Sequence, residues 1–386
     1  MGQRGFQPMS LRRLSLREKV GQLFMVGFEG KDVTPELVEW MSTYHWGGVI
    51  IFGRNVESPE QLHRLTGGLQ GLPQGHDPLP LLVAVDQEGG RVARLKAPFT
   101  PFPSAAALGS IASEPLAYEV GRAMGHELRA VGINMDMAPV MDVLTNAANT
   151  VVGDRAFGAG ADRVARLGLA FARGLRTAGV SAIAKHFPGH GDTMLDSHVA
   201  LPVCERTAEQ LDACELLPFR AAIAAGIQTV MTAHVVYPIW DAQRPATLSP
   251  AILQGILRQT LGFQGVILSD DLGMAAVAET VPWEEIPPLA LQAGIDLQLI
   301  CHDRQRQESA YKCMLNAVQR GDCPESLVDC AVTRTLELKA GLRRFDTKGT
   351  AAMPLSGIGN AAYQALVGAV HARGAAPMVE RDDDGK

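Results

Sequence analysis

The stretch from Ser181 to Pro202, SAIAKHFPGHGDTMLDSHVALP, gathers most of the side chains in this sequence that can do chemistry. A short apolar run, Ser181 to Ala184, leads into Lys185, His186, His190, Asp192, Asp196 and His198. Pro188, Gly189 and Gly191 rule out regular structure there, because Pro fixes φ and removes a donor while Gly accepts conformations other residues avoid. Surface loops are usually rich in Lys, Glu and Ser rather than His, so three histidines, two aspartates and a lysine within fourteen residues point to a site.

Two chemistries fit this loop. In one, His186, His190 and His198 with Asp192 or Asp196 bind a metal, as in metal-dependent barrel hydrolases. The His186-x-x-x-His190 spacing suits helical ligands, but the Pro and Gly residues keep it off a helix, and no H-x-H closes a strand. In the other, Asp196 orients and charges His198, which transfers a proton. That dyad needs a nucleophile from elsewhere. Asp270, at the end of the run GVILSD, is available; Asp270 and Asp271 also suit the cap of a following helix. Asp86 closes LLVAVD and opens DQEGGRVARL, where Gly89 and Gly90 predict a tight turn that brings Arg91 or Arg94 toward a ligand. Asp86 and Arg94 read as binders of a polar substrate, or as an ion pair steadying the surrounding structure. Arg155, in GDRAFG, allows the same two readings.

Eight short apolar runs must carry these residues: Leu23–Phe28, Gly48–Phe52, Leu81–Asp86, Ile133–Ala138, Ser181–His186, Thr229–His234, Gly265–Asp270 and Asp296–Cys301. Most are continuous rather than alternating, as expected of parallel strands buried on both faces. Helical segments lie between them, at Pro59–Leu69, Glu114–Val131, Asp162–Ala178, Thr207–Ala225 and Ser249–Leu261. Asp162, Thr207 and Ser249 are the expected caps, with Pro250 in a first turn. Gly132, Gly179, Gly226 and Gly294 supply the usual helix C-terminal signal. This alternation predicts an α/β fold, a (β/α)₈ barrel over about residues 15–345. A doubly wound sheet is the runner-up, but no G-x-G-x-x-G opens a helix. The barrel places Asp86, Lys185, His186, His234, Asp270 and Asp271 together at the C-terminal strand ends, where such barrels keep their sites.

Residues 1–14 are expected to be an N-terminal segment. Residues 346–386 form a Gly- and Ala-rich tail, with one helix at Gly359–Ala372 and an acidic, disordered end. The chain has 386 residues, 47% hydrophobic and 20% charged, the balance of a soluble globular protein. A net charge of −6 offers no basic footprint for nucleic acid and no polybasic membrane anchor. The N-terminus lacks a secretory h-region and no long apolar span is present, so a cytoplasmic protein is expected. Six cysteines without a C-x-x-C pair suit reduced thiols.

Taken in order, DQEGGRV-x-RL, MAPVMDV, GDRAFG, KHFPGHGDTMLDSH with LP following, and SDDLGM resemble the family 3 glycoside hydrolases, and within them the bacterial β-N-acetylglucosaminidases of cell-wall recycling. The resemblance runs through the whole barrel, and the histidine loop is its most specific part. It implies a retaining exo-β-N-acetylglucosaminidase that removes terminal β-1,4-linked GlcNAc from GlcNAc–anhydro-MurNAc and its peptides. It implies Asp270 as nucleophile, forming a glycosyl-enzyme intermediate, and His198 paired with Asp196 as acid/base. Asp86, Arg94, Arg155, Lys185 and His186 would hold the sugar hydroxyls and N-acetyl group. No cofactor and no metal are implied; the expected partner is a small carbohydrate, with no nucleic acid or membrane, bound by a monomer. The tail is longer than a single-barrel member needs and too short for the sandwich domain of many relatives. Some members use phosphate in place of water, so a phosphorylase of the same sugar stays open. A catalytically silent sugar-binding protein is the reading from another class, and the presence of Asp270 with the Asp196–His198 pair weighs against it.

Overall fold

The structure, a computed structural model, describes residues 11–72, 80–193, 201–279, 281–347 and 352–374. Eight parallel strands close into a barrel: β1 (Phe24–Gly27), β2 (Gly48–Ile51), β3 (Leu82–Val85), β4 (Met135–Asp136), β5 (Ser181–Phe187), β6 (Thr229–Thr232), β7 (Val266–Asp271) and β8 (Leu297–Ile300). Each strand pairs with its neighbour in sequence, and β8 returns to β1. Every strand overlaps an apolar run of the sequence. The runs are continuous because both faces are covered. Met25, Ile50, Leu82, Ala84, Ile183, Leu268 and Leu299 point into the barrel, while Val26, Val49, Ile51, Val83, Val85, Ile267 and Ile300 pack against the helices. Leu338 and Leu342, from the helix Glu325–Thr347, join the interior cluster alongside Val266 and Leu297 at the strand starts, so that helix plugs the bottom of the barrel.

The helices follow the sequence pattern with two local corrections. Pro59–Gln70, Glu114–Ala130 and Ala161–Thr177 form as expected, and Gly132, Gly179, Gly226 and Gly294 have positive φ where their helices end. Asp162 is not a cap, since Gly160 holds that position and Asp162 lies inside the first turn. The single helix expected over Thr207–Ala225 is two, Ala208–Ala213 and Leu216–Ala224. Pro218 has no amide hydrogen for the Cys214 carbonyl, so the chain breaks at Cys214–Glu215. Thr207 does cap the first piece, in a reciprocal box with Gln210. Ser249 Oγ accepts from Ile252 N and starts Ala251–Thr260, which is wound as a π-helix. The tail helix is Ala361–Gly374, and it docks on the barrel. Val367 and Val370 are buried, Gly359 N donates to Glu127 Oε1 at 2.8 Å, and the Tyr363 hydroxyl meets His126 Nδ1 at 2.9 Å.

Lys339 is a buried charge away from the strand ends that carry the site. It lies on the bottom helix, fully buried, and its ammonium donates to Gln22 Oε1 at 2.5 Å, with no carboxylate paired to it among the described residues. Burial pulls its pKa down to about 7. An unfolded lysine titrates near 10.4, so between pH 7 and 10 the unfolded chain binds the extra proton and stability rises with pH. Below pH 7 the penalty is at its full value. Lys339→Met should therefore stabilise the protein by about 2–4 kcal/mol at neutral pH, after the lost Gln22 bond is subtracted. Denaturant unfolding should show that gain shrinking toward zero by about pH 10. A gain independent of pH would mean the ammonium is not the cause.

Candidate active site

At the C-terminal end of the barrel the strands open into a cleft of about 860 Å³, within the usual range for a small-molecule site. Its floor and walls include Asp86, Glu88, Arg155, Lys185, His186 and Asp270. Irregular strand ends present these groups. Successive residues of a regular strand face opposite ways, yet Lys185 and His186 both reach the cleft because the β5–β6 register shifts between Ala184 and Phe187. The β7–β8 register shifts between Leu268 and Asp271, which brings Asp270 and Asp271 to the same opening.

Lys185 is the buried centre of the site. Its ammonium lies 2.6 Å from Glu88 Oε1 and 3.1 Å from Asp86 Oδ1. Arg155 clamps Glu88 with two bonds of 2.8 Å, and Arg94 Nη2 stands 3.5 Å from Asp86 Oδ2. Burial alone would push Glu88 up, but the adjacent Lys185 and Arg155 hold its carboxyl far below the usual range. Burial likewise opposes charge on Lys185, and Glu88 and Asp86 overcome it, raising its pKa. The Lys185–Glu88–Arg155 core is thus ionised at neutral pH. Asp86 and Arg94 remain partly open to the cleft, with donors and acceptors available to a ligand.

A second carboxylate organises the start of the histidine loop. Asp142, completely buried, accepts His186 Nδ1 at 2.7 Å and the backbone amides of His186 and His190 at 3.1 and 2.7 Å. Arg155 Nη2 faces His186 Nε2 at 3.4 Å, so the hydrogen bonds assign the proton to Nδ1. Burial would raise Asp142, and the His186 side chain keeps it low. Gly191 passes so close to the Val143 carbonyl that a Cβ would lie 1.7 Å from it, so the loop is pressed against the Asp142 segment where only glycine fits. His190 Nδ1 meets Thr193 Oγ1 at 2.7 Å. Asp192 accepts from Thr145 Oγ1 at 3.0 Å and faces Arg206 at 3.4 Å.

The two aspartates of SDD part company. Asp271 Oδ1 accepts the amides of Gly273 and Cys301 at 3.0 and 3.1 Å, which ties the turn after β7 to the end of β8. Asp270 is partly exposed in the cleft, and among the described residues its hydrogen bond comes from Asp271 N. Burial opposes its charge, while His234, His186 and Lys185 keep its pKa below the usual range. Burial pushes His234 itself down; its Nε2 donates to the Asp271 carbonyl at 3.0 Å and its Nδ1 meets Thr247 Oγ1 at 2.7 Å.

Asp86, Arg94, Arg155, Lys185, His186 and Asp270, all singled out by the sequence, therefore share one cleft. Asp196 and His198 lie outside the described residues. Arg91 also lines the cleft, where it pairs with Asp154 at 2.6 Å. For the metal reading of the loop, the donors on the described side are engaged: Asp142 and Arg155 hold the two nitrogens of His186, and Thr193 holds His190 Nδ1. Sequence reasoning passed over Glu88 and Asp142. Glu88 had a signal, since it sits two residues after Asp86 and shares its face. Asp142, six residues past β4, had none in its spacing.

The model of the glycosyl hydrolase family 3 N-terminal domain matches residues 15–338. The chain belongs to glycosyl hydrolase family 3. The β-hexosaminidase of Thiobacillus denitrificans is 45% identical over 262 residues, 66% of this chain and 71% of that protein. A family 3 β-N-acetylglucosaminidase from a Paenibacillus species superposes with a TM-score of 0.89 at 42% identity, covering 94% of this chain and 69% of that one. An enzyme from Neisseria gonorrhoeae, solved in complex with N-trifluoroacetyl-D-glucosamine, gives 0.71 at 33% identity and covers 91% of this chain and 98% of that one. The family assignment makes the chain a glycoside hydrolase of the β-hexosaminidase class. No helix among the described residues is long and apolar enough to cross a membrane.

The buried cluster makes a prediction about stability. Glu88→Gln leaves Lys185 and Arg155 short of a carboxylate in a buried setting, and should cost about 3–5 kcal/mol in denaturant unfolding. Asp154→Asn, at the exposed Arg91 pair, should cost no more than about 1 kcal/mol. Equal costs at the two positions would refute the central place given to Glu88.

Proposed function

We propose that the chain is a retaining exo-β-N-acetylglucosaminidase that removes terminal β-1,4-linked GlcNAc from peptidoglycan fragments, GlcNAc–anhydro-MurNAc and its peptides. The observation that carries this reading is Asp270: a carboxylate held ionised at a strand end, facing the cleft and clear of the ion pairs that engage Asp86 and Glu88. Asp270 attacks the anomeric carbon as His198, oriented by Asp196, protonates the leaving oxygen. The same imidazole then takes a proton from the water that frees the sugar. Asp86, Arg94, Arg155, Lys185 and His186 hold the hydroxyls and the N-acyl group, a preference supported by the N-acylated glucosamine bound to the Neisseria relative. The peptidoglycan substrate is supported by the likeness of the motifs to the cell-wall recycling members. We place the enzyme in the cytoplasm as a monomer of one catalytic barrel, about residues 15–345; six free cysteines fit a reducing compartment.

An aryl β-GlcNAc should be turned over far faster than the matching β-glucoside, without added phosphate and without loss on EDTA treatment. A requirement for phosphate would make the chain a phosphorylase. Loss on EDTA restored by zinc would favour the metal reading. Asp270→Ala should abolish turnover while sugar binding survives; near-normal turnover would identify the wrong aspartate.

His198 is tested by leaving group. A sugar alkoxide leaves poorly without a proton, whereas a dinitrophenolate leaves readily. His198→Ala should cost on the order of 10²–10⁴-fold with the disaccharide, the usual range for a positioned acid. With the dinitrophenyl glycoside the first step should lose much less, the glycosyl-enzyme should accumulate, and azide should restore turnover. Equal losses on both substrates without azide rescue would make His198 a binding residue and send the search to Asp192.

A further inference from the structure

On the side of the cleft formed by β7 and β8, three donors of different type converge. Asp271, Cys301 and His302 each offer a ligand atom, and these atoms lie within 4.8 Å of one another. All three line the cleft, and none is needed by the hydrolytic steps proposed above. We propose that they form a site for a thiophilic divalent cation of the zinc or cadmium kind, and that its occupation inhibits the enzyme.

The fold has already ordered the trio. The amide of Cys301 donates to Asp271 Oδ1 at 3.1 Å, which fixes the carboxylate beside the thiol. His302 follows directly; its ring packs on Phe52 with centroids 4.8 Å apart, and its Nδ1 faces Arg54 Nη1 at 3.1 Å. A tetrahedral ion with bonds of about 2.3 Å to sulfur and about 2.0–2.1 Å to nitrogen or oxygen brings its ligands to roughly 3.3–3.7 Å of one another. The donors must close by about an ångström, and the exposed His302 can move that far. Sulfur, imidazole and carboxylate together select a borderline or soft ion over magnesium or calcium, which take oxygen. Three protein ligands also leave a fourth position open toward the cleft.

The surrounding charge favours a cation in spite of Arg54. Asp271 within the trio and Asp86 and Asp270 in the same cleft place negative charge around the site. The same field attracts an ion that displaces the proton from Sγ to solvent. Bound there, the ion competes for the Asp271 carboxylate, which holds the turn next to Asp270, and narrows the space a sugar needs. Inhibition follows from both effects.

The test uses the full chain stripped with EDTA and titrated with cadmium. Calorimetry should give one ion per chain, with the thiolate-to-cadmium ultraviolet band growing in step. Cys301→Ser should remove the band, and both Cys301→Ser and His302→Ala should weaken binding on the order of 10–100-fold, as when a metal site loses a supporting group. For each protein, the ratio of turnover with and without cadmium should follow the same binding curve. A band that persists in Cys301→Ser, an inhibition midpoint unchanged in both variants, or no binding at all would overturn the site. Binding and the ultraviolet band are read without substrate, so they decide the matter even if the assigned sugar specificity fails.

Discussion

The site depends on one ammonium buried among carboxylates. Lys185 leaves the end of β5 into a region closed to water, where a lone charge is untenable, and Glu88 and Asp86 make it tolerable. Those two carboxylates in turn need Arg155 and Arg94. The result is a network from three regions of the chain, held together by the ion pairs of Lys185, Glu88 and Arg155 and extended by Asp86 and Arg94. It fixes the loop after β3, the segment after β4 and the end of β5 relative to one another. A sugar has no charge to offer such a network, but its hydroxyls are matched to fixed donors and acceptors. Because these groups are oriented before the ligand arrives, little reorganisation is left to perform on binding.

Parallel strands buried on both faces can present functional groups only at their ends, and two irregularities widen what those ends present. The register shift in β5 lets adjacent residues, Lys185 and His186, serve one cleft. The shift in β7 gives two adjacent aspartates different roles. Asp271 is consumed in backbone bonds to Gly273 and Cys301, and this leaves Asp270 at the opening. The electrostatics then differentiates the carboxylates further. Glu88 and Asp86 are committed to neighbouring cations, whereas Asp270 feels Lys185 and the histidines without a direct ion pair among the described residues. A carboxylate kept ionised but uncommitted is what a nucleophile requires.

Much of the fold was legible from the chain because barrel strands announce themselves twice, by apolar runs and by the glycines that stop the preceding helices. Gly132, Gly179, Gly226 and Gly294 all take positive φ at helix ends. Polar residues closing those runs, Asp86, Lys185, His186 and Asp270, were legible for the same reason: packing gives no cause for them there. Where the sequence misled, the deciding contact was tertiary. Asp142 resembles any loop aspartate until the fold brings it under His186, 44 positions away. The broken helix at Cys214–Glu215 lets Glu215 turn inward to Arg206, a partner no periodicity reveals. The motif resemblance pointed to Asp270, but the structural job of Asp271 became visible only with the Cys301 amide just past β8.

The two fully buried lysines show how the barrel divides its labour. Both lose their hydration, yet Lys185 is pushed up in pKa and Lys339 is pulled down. The difference lies in their partners: two carboxylates at the top, one amide oxygen at the bottom. At the top, the compensation produces a rigid array of charges open on one side to a ligand. At the bottom, Lys339 spans from the closing helix to Gln22 beside β1, which also donates to the His45 carbonyl near β2. That chain of bonds ties the closing helix to the segments that lead into the first two strands, although among the described residues no counter-charge stands beside the ammonium. Register at the base sets register at the mouth, because a slip of one residue in a strand turns every side chain to the other face.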